Sequence, residues 1–418
     1  MHSRDGSPAR GTYRFVHAAD LRLDAPVRGI GPVPEPLCAV LRDASLRAWE
    51  AVVELAIQRD TAFVVLAGGL FDGERATLRA SVALGAGVRR LRAQAIDVFI
   101  ARTAEDVTAA PRLALLAEGA TLFDHEGIST AYAMRDGACL ATLHAASGTG
   151  AETRRLVGAL RPSGLGTEIG VLPGRLAADE ARAALTESLC KAELAYWALG
   201  GASEYAVLHG APPIVCAGTA QGRGLDAAER GAKGCVLVEV DDRRIGSAAF
   251  IPLDPVRFAS FEVEAGDCAD AAAVRQLLAT AAQRELSAAA DRVLVVEAVL
   301  CGRTGRGWGD RLAFERELLA DLRRDGAALV PRLWWARVRD GASYRDRPDA
   351  GPGDLRRIVI DRSEALSAPL PRGRFLAQTF APLLRRWEAE SDFGAQRQLV
   401  REAARLALDI VVDAEGGR

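Results

Sequence analysis

An α/β fold with two layered sheets is what this chain predicts, and three observations carry it. Residues 62–69, AFVVLAGG, form a continuous apolar run that stops at glycines, as an interior parallel strand buried on both faces does. The first hundred residues alternate strand, helix, strand, helix, strand, a doubly wound beginning. Beyond Ala120 the period shortens, and ISTAYAM and ACLATLHA flank Arg135-Asp136-Gly137, whose Asp-Gly is a hairpin turn. A two-layered or sandwiched sheet with helices outside follows from these together.

Taken in order, residues 1–12 read as a disordered lead-in. Phe15, Val16 and Ala18 then make a short strand with polar His17 in its middle, ending in Asp20, Arg22 and Asp24 at alternate positions. Residues two apart at a strand end point the same way, which aims three charged side chains at one mouth of the sheet. The plainer reading, ordinary charged loop residues after a strand, stands beside it. A Pro/Gly-rich loop over 25–36 leads to a helix over 43–59 with Leu46, Trp49, Val53 and Ala56 on one face. Asp72 sits just past the apolar strand, a second helix covers 78–94, and a third strand covers 97–102.

Strands are then expected at ATLFD, ISTAYAM, ACLATLHA, 168–172, 196–199, PPIVCAG, GCVLVEVD and SAAFIPL, with helices at 152–160 and 178–194. Near Arg257 the pattern changes. A strand at 258–265, a helix at 271–286 and a strand at 292–300 suggest a small α+β domain over 258–339, separate from a main domain over 13–257. Residues 340–372, rich in Gly, Pro, Asp and Arg, read as a linker. The tail over 373–418 is helical. Leu376, Phe380, Leu383 and Trp387 share one face, and Leu399, Ala403, Leu406 and Ile410 another. Such faces need a partner surface, either the chain's own domain or another chain.

Bulk properties narrow the function. The 418 residues suggest two or three domains, and 49% hydrophobic with 26% charged residues is a globular balance. A formal charge of −2 supplies no global basic field for nucleic acid, so any such binding needs a local patch or a partner. Lys191 and Lys233 are the only lysines in an arginine-rich chain. Seven scattered cysteines without a CxxC pair fit a reducing cytoplasm and signal neither zinc ribbon nor disulfide framework. No apolar run approaches the ~18 residues needed to span a bilayer, so no membrane partner is expected.

The motifs HAADLRLD, FVVLAGGLFDG, VFIARTAED, YWALGGASE, AGTAQGRG, GAKGCVLVEVDD and FIPLDPVRF come in an order that resembles the calcineurin-like metallophosphoesterases. More narrowly, they look like the DNA repair exonuclease branch (SbcD- and YhaO-like). The resemblance covers residues 13–260 and extends loosely into the small domain, where CGRTG at 301–305 is similar to the family's capping domain. It implies a two-sheet β-sandwich flanked by helices, plus that cap and the helical tail.

Active relatives hold two Mn²⁺ ions with Asp-x-His, Gly-Asp, Gly-Asn-His-Asp, a lone His and Gly-His-x-His. Two adjacent dications need a bridging carboxylate and several imidazoles around them. By the resemblance Asp20 keeps the first carboxylate, but the next ligand is Arg22 and the bridging Asp is Gly69. The Asn and His of the third motif are Ala104 and Glu105; a shift by one residue gives Thr103 and Ala104 and restores nothing. Asp106 keeps the motif's last residue, which is not a ligand. The lone His falls at Pro173, and the final pair reads Gly201 and Ser203. A degenerate site without catalytic residues, metal or cofactor is therefore expected.

A residual acidic cluster of Asp20, Asp24, Asp72, Glu105 and Asp106 remains near the mouth. It is expected to pair with Arg22, Arg28 and Arg102 in a solvated cleft. His144 is expected to be a satisfied structural imidazole, His125 and His209 are isolated, and Cys139 and Cys216 read as buried thiols. The expectation is a catalytically inactive scaffold that binds an SMC-like (SbcC- or YhaN-type) ATPase through the tail, with DNA contact and homodimerisation left open. The alternative is a phosphoesterase with a rebuilt single-metal or metal-free site at Asp20, Asp24 and Glu105. A stand-alone nucleic-acid-binding protein is a third, weaker reading.

Overall fold

A computed structural model describes residues 11–72, 76–111, 113, 117–148, 151–174, 179–266, 268, 270–289, 291–304, 311–340 and 343–344. All the described residues belong to one compact unit that ends at Tyr344. The tail positions Leu376, Phe380, Leu383, Trp387, Leu399, Leu406 and Ile410 lie outside the described residues, as does most of the expected linker.

The chain runs β1 (Thr12–Ala18), α1 (Glu35–Gln58), β2 (Phe63–Ala67), α2 (Leu78–Ala93), β3 (Asp97–Ala101), α3 (Ala104–Ala109) and β4 (Thr121–Leu122). It continues through β5 (Gly127–Arg135), β6 (Ala138–Ser147), α4 (Ala151–Ala159), β7 (Thr167–Leu172), α5 (Asp179–Lys191) and β8 (Tyr196–Leu199). Next come β9 (Ala206–Gly210), β10 (Pro213–Cys216), β11 (Gly234–Asp241) and β12 (Arg244–Pro252). They are followed by β13 (Val256–Glu264), α6 (Ala271–Ala288), β14 (Val293–Cys301), β15 (Arg303–Thr304), α7 (Arg311–Asp325), β16 (Leu333–Asp340) and β17 (Ser343–Tyr344).

Two six-stranded sheets face each other, one ordered β12-β11-β1-β2-β3-β4 and the other β5-β6-β7-β8-β10-β9. Strands β1, β2, β3 and β4 are parallel, as are β6, β7, β8 and β10, so each sheet presents a row of carboxyl ends. The period-2 alternation explains the layers. Phe15, Val65, Phe99, Leu143, Ile169, Tyr196 and Val215 point between the sheets. Val16, Val64, Leu66, Val98 and Ile100 point outward against α1 and α2. The apolar run at 63–67 is thus buried throughout because both its faces are covered.

Helices α1 and α2 approach closely because α2 carries Gly87, where an added Cβ would lie 2.6 Å from Cζ2 of Trp49. Glycine costs a helix interior ~1 kcal/mol, which buried Trp49 and its Nε1 bond to the Ala83 carbonyl (3.1 Å) offset. A third sheet, β13-β14-β16, has one face on α6 and α7. On its other face Phe258, Val295 and Trp334 meet Leu37 and Leu41 of α1.

The expected loop over 25–36 gives way to helix at Glu35, because Pro36 falls in the first turn, whose N–H groups need no intrahelical partner. The hairpin at Asp136-Gly137 is present, with φ of 51° and 77°. Helices α3 and α7 and strands β9 and β16 were not expected from the sequence.

Candidate functional site

The row of carboxyl ends in the first sheet delivers Asp20, Arg22 and Asp24 after β1. All three adopt left-handed backbone, with φ of 46°, 42° and 62°. Such a conformation costs a non-glycine residue ~1–2 kcal/mol, and strained backbone gathers at functional sites. The strain is held in place by burial of Leu21 and Leu23 between these residues. Amide bonds from Asp20, Arg22 and Leu23 to the carbonyls of Gly68, Gly69 and Leu70 (2.9 Å each) hold it as well.

Asp20 is 3% exposed and is gripped from three sides. Its Oδ2 accepts from the Gly201 amide (2.6 Å), its Oδ1 meets Arg22 Nη2 (3.4 Å), and its carbonyl accepts from Thr219 Oγ1 (2.7 Å). Burial pushes its carboxyl up to about 6, against the pull of Arg22 and the Gly201 amide; nearby Asp106 adds to the rise. Gly69 lies directly on this group. An added Cβ there would stand 2.9 Å from both Cα and Cγ of Asp20. Pro173 packs against the neighbouring turn, with its Cβ 2.7 Å from where Gly68 would carry one.

From Asp20 an ion-pair chain crosses the mouth. Arg22 Nη1 meets Asp72 (3.3 Å), and Asp72 is also met by Arg28 (3.3 Å) and Arg223 (3.2 Å). Arg223 in turn pairs with Glu229 (3.4 Å), and Ser203 Oγ donates to Glu229 (3.3 Å). Lys233, 2% exposed, donates to the carbonyls of Ser203 (2.8 Å) and Ala228 (2.6 Å). Its ammonium is held below the usual lysine range by burial, against the pull of Glu229, Glu204 and Asp254.

The expected acidic residues therefore divide. Asp20 and Asp72 join the ion-pair chain. Asp24 turns to the start of α2, accepting from Thr77 Oγ1 (2.6 Å) and Arg79 Nε (3.1 Å). Glu105 is exposed on the first turn of α3, next to exposed Ala104. Asp106 caps α3 with Thr103 and accepts from the amides of Gly69 (3.0 Å) and Leu70 (2.7 Å), binding α3 to the β2 turn. Burial raises its pKa, although those hydrogen bonds oppose the rise. Among the described residues no group of three or more His, Cys, Asp or Glu is placed to hold a metal ion.

Arg22 and Arg28 pair as expected, but Arg102 donates to the Phe123 carbonyl (3.2 and 3.1 Å) instead of to an acid. His17 is fully buried between the sheets, with Nδ1 3.1 Å from Tyr196 Oη, because it shares the inward parity of Phe15. Both ring nitrogens of His144 are engaged, and Cys139 and Cys216 are buried.

Sequence reasoning missed Arg223, Glu229 and Lys233, which meet Asp72 and Ser203 only through the fold. No sequence signal singled out Lys233, since the chain's other lysine, Lys191, is an exposed helix residue paired with Glu187 (2.6 Å).

No protein-family model matches the chain. A Bacillus subtilis (strain 168) protein named as the uncharacterised metallophosphoesterase YhaO is 28% identical over 236 residues, covering 54% of this chain and 57% of that one. The chain thus matches little more than half the length of that relative. The solved structure of a dimetal phosphatase from Danio rerio overlays 56% of this chain and 94% of its own, at 11% identity and a TM-score of 0.36. The two large sheets flanked by helices are consistent with a metallophosphoesterase-type fold, and the likeness to YhaO supports that family.

Proposed function

We propose that this chain is a metallophosphoesterase-fold protein in which an arginine–carboxylate network replaces the two-metal centre. On this reading it serves as a non-catalytic binding subunit of an SMC-like (SbcC- or YhaN-type) ATPase in DNA processing. One observation carries the loss of metal. Gly69, aligned with the bridging Asp of active relatives, packs so closely on Asp20 that even a Cβ is excluded. The remaining donor set does not fit two dications. Arg22 puts a guanidinium between Asp20 and Asp72, and Ala104, Pro173 and Gly201 bring no ligating side chain.

Asp20, Asp24 and Glu105 face different surroundings, so nothing in their placement favours the rebuilt phosphoesterase site. The ATPase partnership rests on the apolar faces of the tail sequence and on the resemblance. Two measurements test the reading on the full-length chain. Turnover of bis(p-nitrophenyl) phosphate in Mn²⁺ that disappears in Asp20→Ala would overturn the non-catalytic assignment. Co-purification with a co-expressed SMC-like ATPase is expected to fail for Leu383→Asp and Trp387→Asp; retention by both variants would overturn tail docking.

A further inference from the structure

A second cluster lies on the outer face of the second sheet and takes no part in the mouth. In β6, Ala141, Leu143 and Ala145 point between the sheets, so Thr142, His144 and Ala146 point outward. In β7, Ile169 and Val171 point inward, which turns Glu168 to the same outer face as His144. His144 and Glu168 are buried, at 3% and 8% exposure.

Hydrogen bonds join the two side chains. Glu168 Oε1 accepts from Ser163 Oγ and from the Gly164 amide, each at 2.7 Å, and Oε2 lies 2.7 Å from His144 Nε2. Burial alone would raise this carboxyl, but the bonds from His144 and Ser163 outweigh it and hold it below its usual range. An ionised Glu168 accepts only, so His144 Nε2 carries the proton. Nδ1 lies 3.1 Å from Thr130 Oγ1, and in the Nε2–H tautomer it accepts from the threonine hydroxyl.

Thr130 is exposed on the edge strand β5. Ile128 and Tyr132, two residues to either side on the same face, are 39% and 47% exposed. A hydroxyl backed by an imidazole and a buried carboxylate is the arrangement that activates an alcohol nucleophile, and here it opens onto an apolar surface.

We propose that Thr130, His144 and Glu168 form a hydroxyl–imidazole–carboxylate relay that makes Thr130 Oγ1 an acyl acceptor toward activated carboxylic esters. His144 Nδ1 takes the hydroxyl proton as Oγ1 bonds to the ester carbonyl carbon. The bond from that carbon to the leaving oxygen breaks, and the leaving oxygen departs with the proton from His144. Thr130 is left as a carboxylic ester, and Glu168 holds the ring in its Nε2–H form throughout. Ile128 and Tyr132 flank the acyl chain. The relay is independent of the mouth and of its proposed function.

The test treats the full-length chain with p-nitrophenyl acetate and p-nitrophenyl butyrate. It reads p-nitrophenol release, the intact mass, and the acylated position by peptide mapping. The expected result is one acyl group per chain on Thr130, absent in Thr130→Ala and kept in Thr130→Ser. Release should be ~10²-fold slower in His144→Gln and in Glu168→Gln, the usual worth of a positioned general base. Ser129→Ala should leave acylation unchanged, because Ser129 Oγ is committed to Asp124 (3.1 Å to its amide, 3.3 Å to its carboxylate). Acylation confined to other residues, or the same rate in Thr130→Ala as in the unaltered chain, would overturn the proposal.

Discussion

Two buried groups, His17 and Asp20, should set how the fold responds to mild acid, His17 by resisting protonation. Burial pushes its pKa from 6.5 down to about 3, against a backbone contact from Leu199. The unfolded chain therefore takes up a proton near pH 6.5 that the folded chain refuses until about pH 3. The contribution of this group to stability is intact above 6.5 and is lost as pH falls toward 3. At about 1.4 kcal/mol per pH unit, the whole window is worth about 5 kcal/mol.

Asp20 acts with the opposite sign. Its pKa rises from 3.8 to about 6, so the folded state binds its proton more tightly than the unfolded chain does. That contribution is fully present below 3.8 and is lost as pH rises through 6, a span worth about 3 kcal/mol. Between pH 6 and 4 the two groups nearly cancel. Replacing His17 with Gln, which can keep a bond to Tyr196 Oη, should unmask Asp20. Relative to the unaltered chain, the variant should gain about 3 kcal/mol between pH 6.5 and pH 4. Asp20→Asn should lose a similar amount over pH 6 to 4. Urea unfolding at half-unit pH steps, with the m-value held constant, reads both slopes. Parallel pH profiles for the three proteins would refute the linkage.

Other positions give simpler tests. Gly87→Ala should cost about 1–3 kcal/mol, because its Cβ meets the Trp49 ring inside a packed helix pair; an unchanged thermal midpoint would contradict that contact. Ala95 sits exposed at φ 56° just past α2, and the amide of Ile96 reaches back to the Leu91 carbonyl (3.0 Å). Ala95→Gly should therefore stabilise by about 1 kcal/mol in the same denaturation assay, and a loss of stability would show that the turn is not strained. Asp106→Ala strips the amides of Thr103, Gly69 and Leu70 of their acceptor. About 3 kcal/mol of destabilisation is expected, with faster hydrogen exchange at Gly69 and Leu70; protected amides there would refute the anchoring role.

Strands β2 and β3 were legible because buried parallel strands write themselves as apolar runs, and β1 from the shorter apolar stretch around His17. The β5–β6 turn was legible because Asp136-Gly137 supplies two left-handed residues. Helix α3 was hidden by its six residues, too few for a hydrophobic period, although Thr103 and Asp106 stand at capping-box spacing. The start of α1 was hidden by two prolines that mark a loop and a first helical turn equally well.

At the mouth, Asp20, Arg22 and Asp24 could be placed just past β1 from the local strand pattern alone. What that pattern could not reveal is pairing across the fold. Asp72 finds Arg223 and Arg28 through loops far apart in sequence, whereas Asp24 and Glu105 go elsewhere. Side-chain destinations after a strand end depend on backbone conformation, and three successive left-handed residues at alternate positions leave no trace in composition.

Equilibrium dialysis of the full-length protein against Mn²⁺, followed by elemental analysis of metal per chain, bears most directly on the proposal that arginine and glycine replace a metal centre. Manganese at the level of a buffer control is expected. Two manganese ions retained per chain, and lost on Asp20→Ala, would contradict it.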